Sequence, residues 1–150
     1  PVTVGHIDII HRAASMFAKV VVVVMKNTAK SPLFTAEERA QMIRESTTDL
    51  PNVTVDVFDG LLADYTKAIG AGAIVKGLRA MSDFEYEFQM ALTNKKLNPN
   101  TETVFFTTKA EYMYLSSSMV KQVGSFGGDI SDFVPESIHQ KVIERLERKL

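Results

Sequence analysis

Apolar residues recur at helical spacing in HIDIIHRAASMF, residues 6 to 17, where Ile9, Ile10, Ala13, Met16 and Phe17 share a face. The pattern then changes to an unbroken aliphatic run, VVVVVM at 20 to 25, which is apolar on both faces and predicts a strand buried within a parallel sheet. Helix and strand go on alternating. TAEE at 35 to 38 offers Thr35 as an N-cap with Glu38 three residues on, predicting a helix to about Leu50, and VTVDVF at 53 to 58 alternates as a strand. LLADYTKAIG predicts a helix closed by Gly70, AIVKG a short buried strand, DFEYEFQMALTNKKL a long helix and TVFFTT the last strand. Two helices follow, one starting near Ser116 and one at Pro135, where proline suits a first turn. No repeat, low-complexity tract or linker interrupts the series, so it predicts one α/β domain over residues 1 to 150 with a mostly parallel sheet.

Composition narrows the chemistry. At 150 residues, 45% of them hydrophobic, the chain suits one compact domain better than two. A formal net charge of −1 argues against general affinity for nucleic acid or an anionic membrane, so any anion site must arise from placement. The absence of cysteine excludes disulfides, thiolate chemistry and Cys-ligated metal, and fits the cytoplasm. The run VVVVVM, flanked by Lys19 and Lys26, is far shorter than a membrane span.

Five polar clusters fall where strands end or helices begin, which is where open parallel sheets build their sites. The first is Thr3, Gly5 and His6. A helix N-terminus offers free N–H groups and partial positive charge to an anion, and the same field favours His6 as a neutral N–H donor. A histidine at an exposed helix start would explain the pair equally well. Lys30 follows the first aliphatic strand. In VKGLRA, Lys76 ends a buried strand and Arg79 follows, with Gly77 between them; two cations there suit a di-anionic or polyphosphate ligand, or else a structural ion pair. Glu87 and Asn94 share one helical face, with Asp83 a turn earlier, either as a site or as a solvated stripe opposite Phe84, Phe88 and Leu92. LSSS at 115 to 118 supplies an N-cap or a hydroxyl-rich anion cradle.

The order of these segments is more specific than any one of them. TVGHIDII, AKSPLFTAEER, VKGLRAMSDFEYEFQMALTN and YLSSSMVKQV, in that succession, strongly resemble the bacterial phosphopantetheine adenylyltransferases of the nucleotidyltransferase superfamily. The resemblance covers essentially the whole chain. It implies transfer of an adenylyl group from ATP to 4′-phosphopantetheine, giving dephospho-CoA and pyrophosphate, with Mg2+, in a homohexamer, and coenzyme A is a candidate inhibitor. It implies a Rossmann-like, doubly wound, mostly parallel five-stranded sheet with helices on both faces. Because the pattern begins on a helix, the first, central strand and its phosphate-binding turn are expected ahead of Pro1, between residues 20 to 25 and 73 to 76.

Carried over by position, the family's transition-state histidine falls on His6, its phosphopantetheine contacts on Lys30, Leu62, Lys76 and Asn94, and its ATP contacts on His6, Gly77, Leu78, Arg79, Glu87, Tyr112, Met113, Tyr114, Leu115, Ser116, Ser117 and Ser118. Many members carry arginine where this chain has Lys76, which keeps the charge and loses the bidentate fork. The resemblance assigns His6 to the α-phosphate, Lys30 to the acceptor phosphate and Arg79 with Ser117 and Ser118 to the leaving pyrophosphate. The residue types accord with that chemistry, since a phosphate acceptor needs no protein nucleophile and the work reduces to positioning and electrostatics. A nucleotidyltransferase with another acceptor, and an inactive nucleotide-binding module, are the alternatives.

Overall fold

The computed structural model describes residues 1–26 and 32–147. Its elements run in order α1 (Val4–Met16), β1 (Val20–Met25), α2 (Ala36–Glu45), β2 (Val53–Phe58), α3 (Leu62–Ile69), β3 (Ala73–Leu78), α4 (Met81–Leu97), β4 (Glu102–Thr107), a 3-10 turn (Ala110–Tyr112), α5 (Ser117–Ser125) and α6 (Glu136–Glu147). Local chemistry explains most of the boundaries. Thr35 and Glu38 form a full capping box at the start of α2. Gly70 ends α3 in the left-handed region, φ 65°, where a side chain would be strained. Helix α2 stops at Glu45, short of the expected Leu50. The hydroxyls of Ser46 and Thr47 donate to the Met42 and Ile43 carbonyls, and Pro51 lies just beyond.

Every strand pairing among the described residues is parallel. β1 pairs with β2, Val20 opposite Val53, and β3 pairs with β4, Ala73 opposite Glu102. Instead of one continuous sheet, the described residues form two two-stranded sheets, and β1 and β3 are not hydrogen-bonded to each other. This changes the status of VVVVVM. With β2 as its partner on one edge only, β1 buries Val24 and leaves its other residues half-buried, where the sequence predicts a strand enclosed on all sides.

Helix α1 packs on both strand pairs. Its C-terminus is tied to the first by Asn52, whose Nδ2 donates to the Ala14 and Phe17 carbonyls at 2.8 and 3.0 Å. Its middle is tied to the second by Arg12, which donates to the Thr107 carbonyl at 2.8 Å and lies over the Phe106 ring. Gly77 makes the seat possible. A β-carbon there would lie 3.0 Å from Ile9 Cγ1, so the glycine expected to free the backbone serves chiefly to let α1 approach β3.

Burial is uneven. The main apolar cluster joins Ile10, Val24, Phe34, Ile43, Val120 and Ile138 with their neighbours and contains no residue between 59 and 109. In the α3–β4 half, Asn98 Nδ2 donates to Thr66 and Thr101 at 3.0 and 2.7 Å, and Thr101 donates to the Ala71 carbonyl, so part of the interior there is a satisfied polar knot. No helix among the described residues is long and apolar enough to cross a membrane.

Gly77→Val is expected to destabilise the protein by about 1–3 kcal/mol through overpacking against Ile9. In a urea-unfolding double-mutant cycle with Ile9→Ala, the pair should cost less than the sum of the single changes; strict additivity would place the strain elsewhere.

Candidate active site

Two helix N-termini and the end of β3 meet around His6 and Arg79. Thr3 caps α1 in an unusual capping box whose return partner is His6 in the place of a glutamate. Thr3 Oγ1 accepts from the His6 backbone N–H, and the Thr3 backbone N–H donates to His6 Nδ1 at 3.0 Å, with Thr3 Oγ1 also 2.9 Å from that nitrogen. A backbone N–H can only donate, so Nδ1 must carry the lone pair and Nε2 the proton. The imidazole is thereby fixed as a neutral Nε2–H donor, although His6 is exposed by accessible surface. Desolvation by the surrounding protein lowers its pKa to about 4, and repulsion from Arg79 acts in the same direction.

Arg79 is held on two sides. Asp83 accepts from Arg79 Nε at 3.0 Å, from Nη2 at 3.4 Å and from the Arg79 backbone N–H, while Nη1 donates to the Leu115 carbonyl at 2.9 Å. A guanidinium has five N–H donors, so side-chain bonds to Asp83 and Leu115 leave one hydrogen on each terminal nitrogen, the pair suited to a bidentate anion. The arginine holds the Asp83 carboxyl below the usual range for a carboxylate, chiefly by hydrogen bonding. Leu115 itself is buried.

The serine cluster divides its work. Ser116 is the N-cap of α5, accepting from Met119 N at 3.1 Å; Ser117 Oγ donates to the Pro1 carbonyl at 2.6 Å; Ser118 is exposed. The hydroxyl cradle expected from three serines therefore reduces to one exposed hydroxyl and the first-turn backbone N–H groups. Tyr112 packs beside Gly5, and Lys109, 2.8 Å from Asp8, lies over the Tyr112 ring. Met113 and Tyr114 are exposed, Tyr114 edge-on to Phe133.

The second group lies along β3 and α4. Lys76 Nζ is 3.6 Å from Glu87 Oε2, an oxygen with no hydrogen-bond partner. Asn94 is buried and Glu87 half-buried, so the face read as a possible solvated stripe turns inward, and Phe84, Phe88 and Leu92 are the exposed side chains. Gly77 and Leu78 lie at the end of β3, and Leu62 opens α3, half-buried, with no bond to the other candidates. Lys30 lies outside the described residues. A cavity of about 280 Å³ between α2 and α6, lined by Phe34, Glu38, Lys141 and Arg145 among others, contains none of the candidate residues. Among the described residues no group of three His, Asp or Glu side chains could hold a metal ion.

Three residues that support this site lie outside the contacts carried over from the family, although Thr3 and Asp83 stand in the polar clusters of the sequence. Asp83 stands four residues after Arg79 and Asp8 four before Arg12, a spacing that signals helical ion pairs, and Thr3 is marked only as a neighbour of His6.

A cytidylyltransferase-like family model matches residues 1–123. The protein named phosphopantetheine adenylyltransferase from Caldanaerobacter subterraneus subsp. tengcongensis is 55% identical over 148 residues, covering 99% of this chain and 92% of that one. The chain belongs to the phosphopantetheine adenylyltransferase family. Similarly named proteins from Heliobacterium modesticaldum, 54% identical over 97% of this chain and 86% of its own, and from Dictyoglomus turgidum, 54% over 99% and 93%, agree. Phosphopantetheine adenylyltransferases of three genera thus align along nearly the full length, both strand pairs included.

The depressed His6 pKa carries a sign. The folded state binds fewer protons than the unfolded one, so the stability due to neutral His6 is complete above about 6.5, the ordinary histidine value, and is lost as pH falls toward about 4. His6→Gln retains a residue suited to the capping box and does not titrate. Its urea midpoint should fall less than the wild type's between pH 7 and 5; parallel falls would show that the folded imidazole takes up protons as freely as the unfolded one.

Proposed function

We propose that this chain transfers the adenylyl group of ATP to 4′-phosphopantetheine, yielding dephospho-CoA and pyrophosphate. The observation that carries the reading is the donation from the Thr3 backbone N–H to His6 Nδ1, which leaves a neutral Nε2–H donor near Arg79 at a helix start. The high identity to named phosphopantetheine adenylyltransferases supplies the substrate class. An acceptor phosphate oxygen attacks the α-phosphorus, the bond from that phosphorus to the bridging oxygen breaks, and pyrophosphate departs. His6 Nε2–H donates to the α-phosphate as charge gathers on it. Arg79 and the first-turn N–H groups of Ser117 and Ser118 take the leaving group.

The remaining assignments follow the family pattern. Lys30 meets the acceptor phosphate, Leu62, Lys76 and Asn94 line the phosphopantetheine side, and Gly77, Leu78, Glu87 and residues 112 to 116 line the nucleotide. Mg2+ is proposed to accompany the nucleotide, held chiefly by its phosphates. Such an ion neutralises phosphate charge. Coenzyme A, which contains the phosphopantetheine arm, is proposed to compete at the acceptor side. A cytoplasmic homohexamer completes the reading.

Pyrophosphate release with ATP and 4′-phosphopantetheine tests it directly, and absence of release with that acceptor beside release with another would redirect the substrate assignment. His6→Ala should lower kcat by about 10²–10³ with little change in nucleotide affinity, as expected for a donor used in the transition state. Turnover at the wild-type rate in a folded variant would remove His6 from the chemistry. Arg79→Ala should chiefly raise the KM for ATP, and an equal rise for both substrates would contradict its assignment to the nucleotide.

A further inference from the structure

The chain between β4 and α5, residues 108 to 116, carries two of the contacts that shape the candidate site. Tyr112 lies against Gly5 at the start of α1, where a β-carbon on the glycine would stand 3.6 Å from Tyr112 Cβ. The Leu115 carbonyl accepts from Arg79 Nη1 at 2.9 Å. These two contacts are linked, because the Leu115 N–H donates to the Tyr112 carbonyl at 3.0 Å. Whatever fixes Tyr112 therefore fixes the oxygen that restrains Arg79. The segment's own regular structure is a single 3-10 turn, Ala110–Tyr112, too short to hold its shape unaided.

Asp8 supplies the tie. It stands one turn beyond His6 on α1 with its side chain only 10% exposed, Oδ1 2.8 Å from Lys109 Nζ and Oδ2 3.3 Å from Arg12 Nη1. Lys109 precedes the 3-10 turn and lies over the Tyr112 ring, while Arg12 donates to the Thr107 carbonyl at the end of β4. A carboxylate so far removed from water is retained where it is paired, and this pairing crosses from the helix that carries His6 to the segment that carries Tyr112 and Leu115. Neither Asp8 nor Lys109 is among the nucleotide contacts carried over by position.

We propose that Asp8 is a positioning residue for the nucleotide: through Lys109 it docks residues 109 to 115 on α1, setting Tyr112 against Gly5 and the Leu115 carbonyl against Arg79 before ATP arrives. The proposal rests on the reading of His6, Arg79 and residues 112 to 118 as the nucleotide side. Breaking the clasp leaves every contacting group present and no longer gathered, so it costs nucleotide affinity and spares the chemical step. The sign of the effect distinguishes this from a simple charge effect. By Coulomb attraction alone, loss of a carboxylate beside a polyanion site tightens ATP and loss of an ammonium weakens it. Loss of the clasp weakens ATP in both cases.

The test combines calorimetric titration with α,β-methylene-ATP, which cannot transfer its adenylyl group, and steady-state pyrophosphate release with ATP and 4′-phosphopantetheine. Both are applied to the wild type, Asp8→Asn, Lys109→Met, the double change and Lys109→Arg, with circular dichroism to establish folding. Asp8→Asn and Lys109→Met should each raise the Kd of the analogue and the KM for ATP about tenfold, with kcat and the KM for phosphopantetheine little changed. The double change should be no worse than either single one, since both break the same clasp, and Lys109→Arg should bind as the wild type does. Tighter binding by Asp8→Asn beside weaker binding by Lys109→Met would reduce the pair to its field and overturn the proposal. A fall in binding stoichiometry or in kcat at unchanged Kd and KM would overturn it too, as the mark of a purely structural role. If Asp8→Asn does not fold, Lys109→Met, at a half-exposed position, decides on the same terms. A wild type that binds the analogue and releases no pyrophosphate with 4′-phosphopantetheine would overturn the acceptor assignment, with Asp8 still decided by the titration. A wild type that does not bind the analogue would overturn both.

Discussion

The structure depends on the seating of α1 across two separate pairs of parallel strands. Neither pair is hydrogen-bonded to the other, so the helix that packs on both must join them through side chains: Asn52 at its C-terminus, Arg12 reaching Thr107 and Phe106, and Ile9 pressed onto Gly77. The same seating aims the N-terminus of α1, with Thr3 and His6, at the end of β3 where Arg79 emerges. Packing and chemistry therefore share one constraint. A change in how Ile9 meets Gly77 would move the proton donor relative to the guanidinium.

The candidate site is built to suit anions without help from bulk charge. With a formal net charge of −1, the chain relies on a neutral imidazole, a restrained guanidinium and helix-terminal N–H groups. Each is fixed before a ligand arrives: His6 by Thr3, Arg79 by Asp83 and the Leu115 carbonyl, and the start of α5 by Ser116. Preorganised dipoles of this sort need no reorganisation as charge develops, which suits a reaction whose nucleophile is already an anion.

Much of this was legible in the sequence where local chemistry dominates. β2 was readable from strict alternation, α2's start from Thr35 and Glu38, and α3's end from Gly70, because each signal acts within one turn or one strand. The neutrality of His6 was readable from its place at a helix start, but the bond that fixes its tautomer was not, since histidine is not the usual residue at that point of a capping box. The reading failed where context overrides pattern. VVVVVM looks the same whether or not both edges are paired, and α4 is apolar on more than one side, so periodicity alone could not say that Asn94 would be inside and Leu92 outside.

The uneven distribution of buried apolar surface has a consequence for motion. The large cluster stops short of residues 59 to 109, leaving β3, α4 and β4 to be held by a smaller set of apolar contacts and by the Asn98–Thr66–Thr101 knot. Such a segment is expected to open on its own at a lower free energy than the whole domain, with its amides exchanging through partial opening. On the proposed assignment, a nucleotide held by His6 and the start of α5 on one side and by Arg79 on the other would bridge the two parts. Occupancy would then suppress that opening by mass action, so that the looser half of the molecule would be ordered by the substrate it helps to hold.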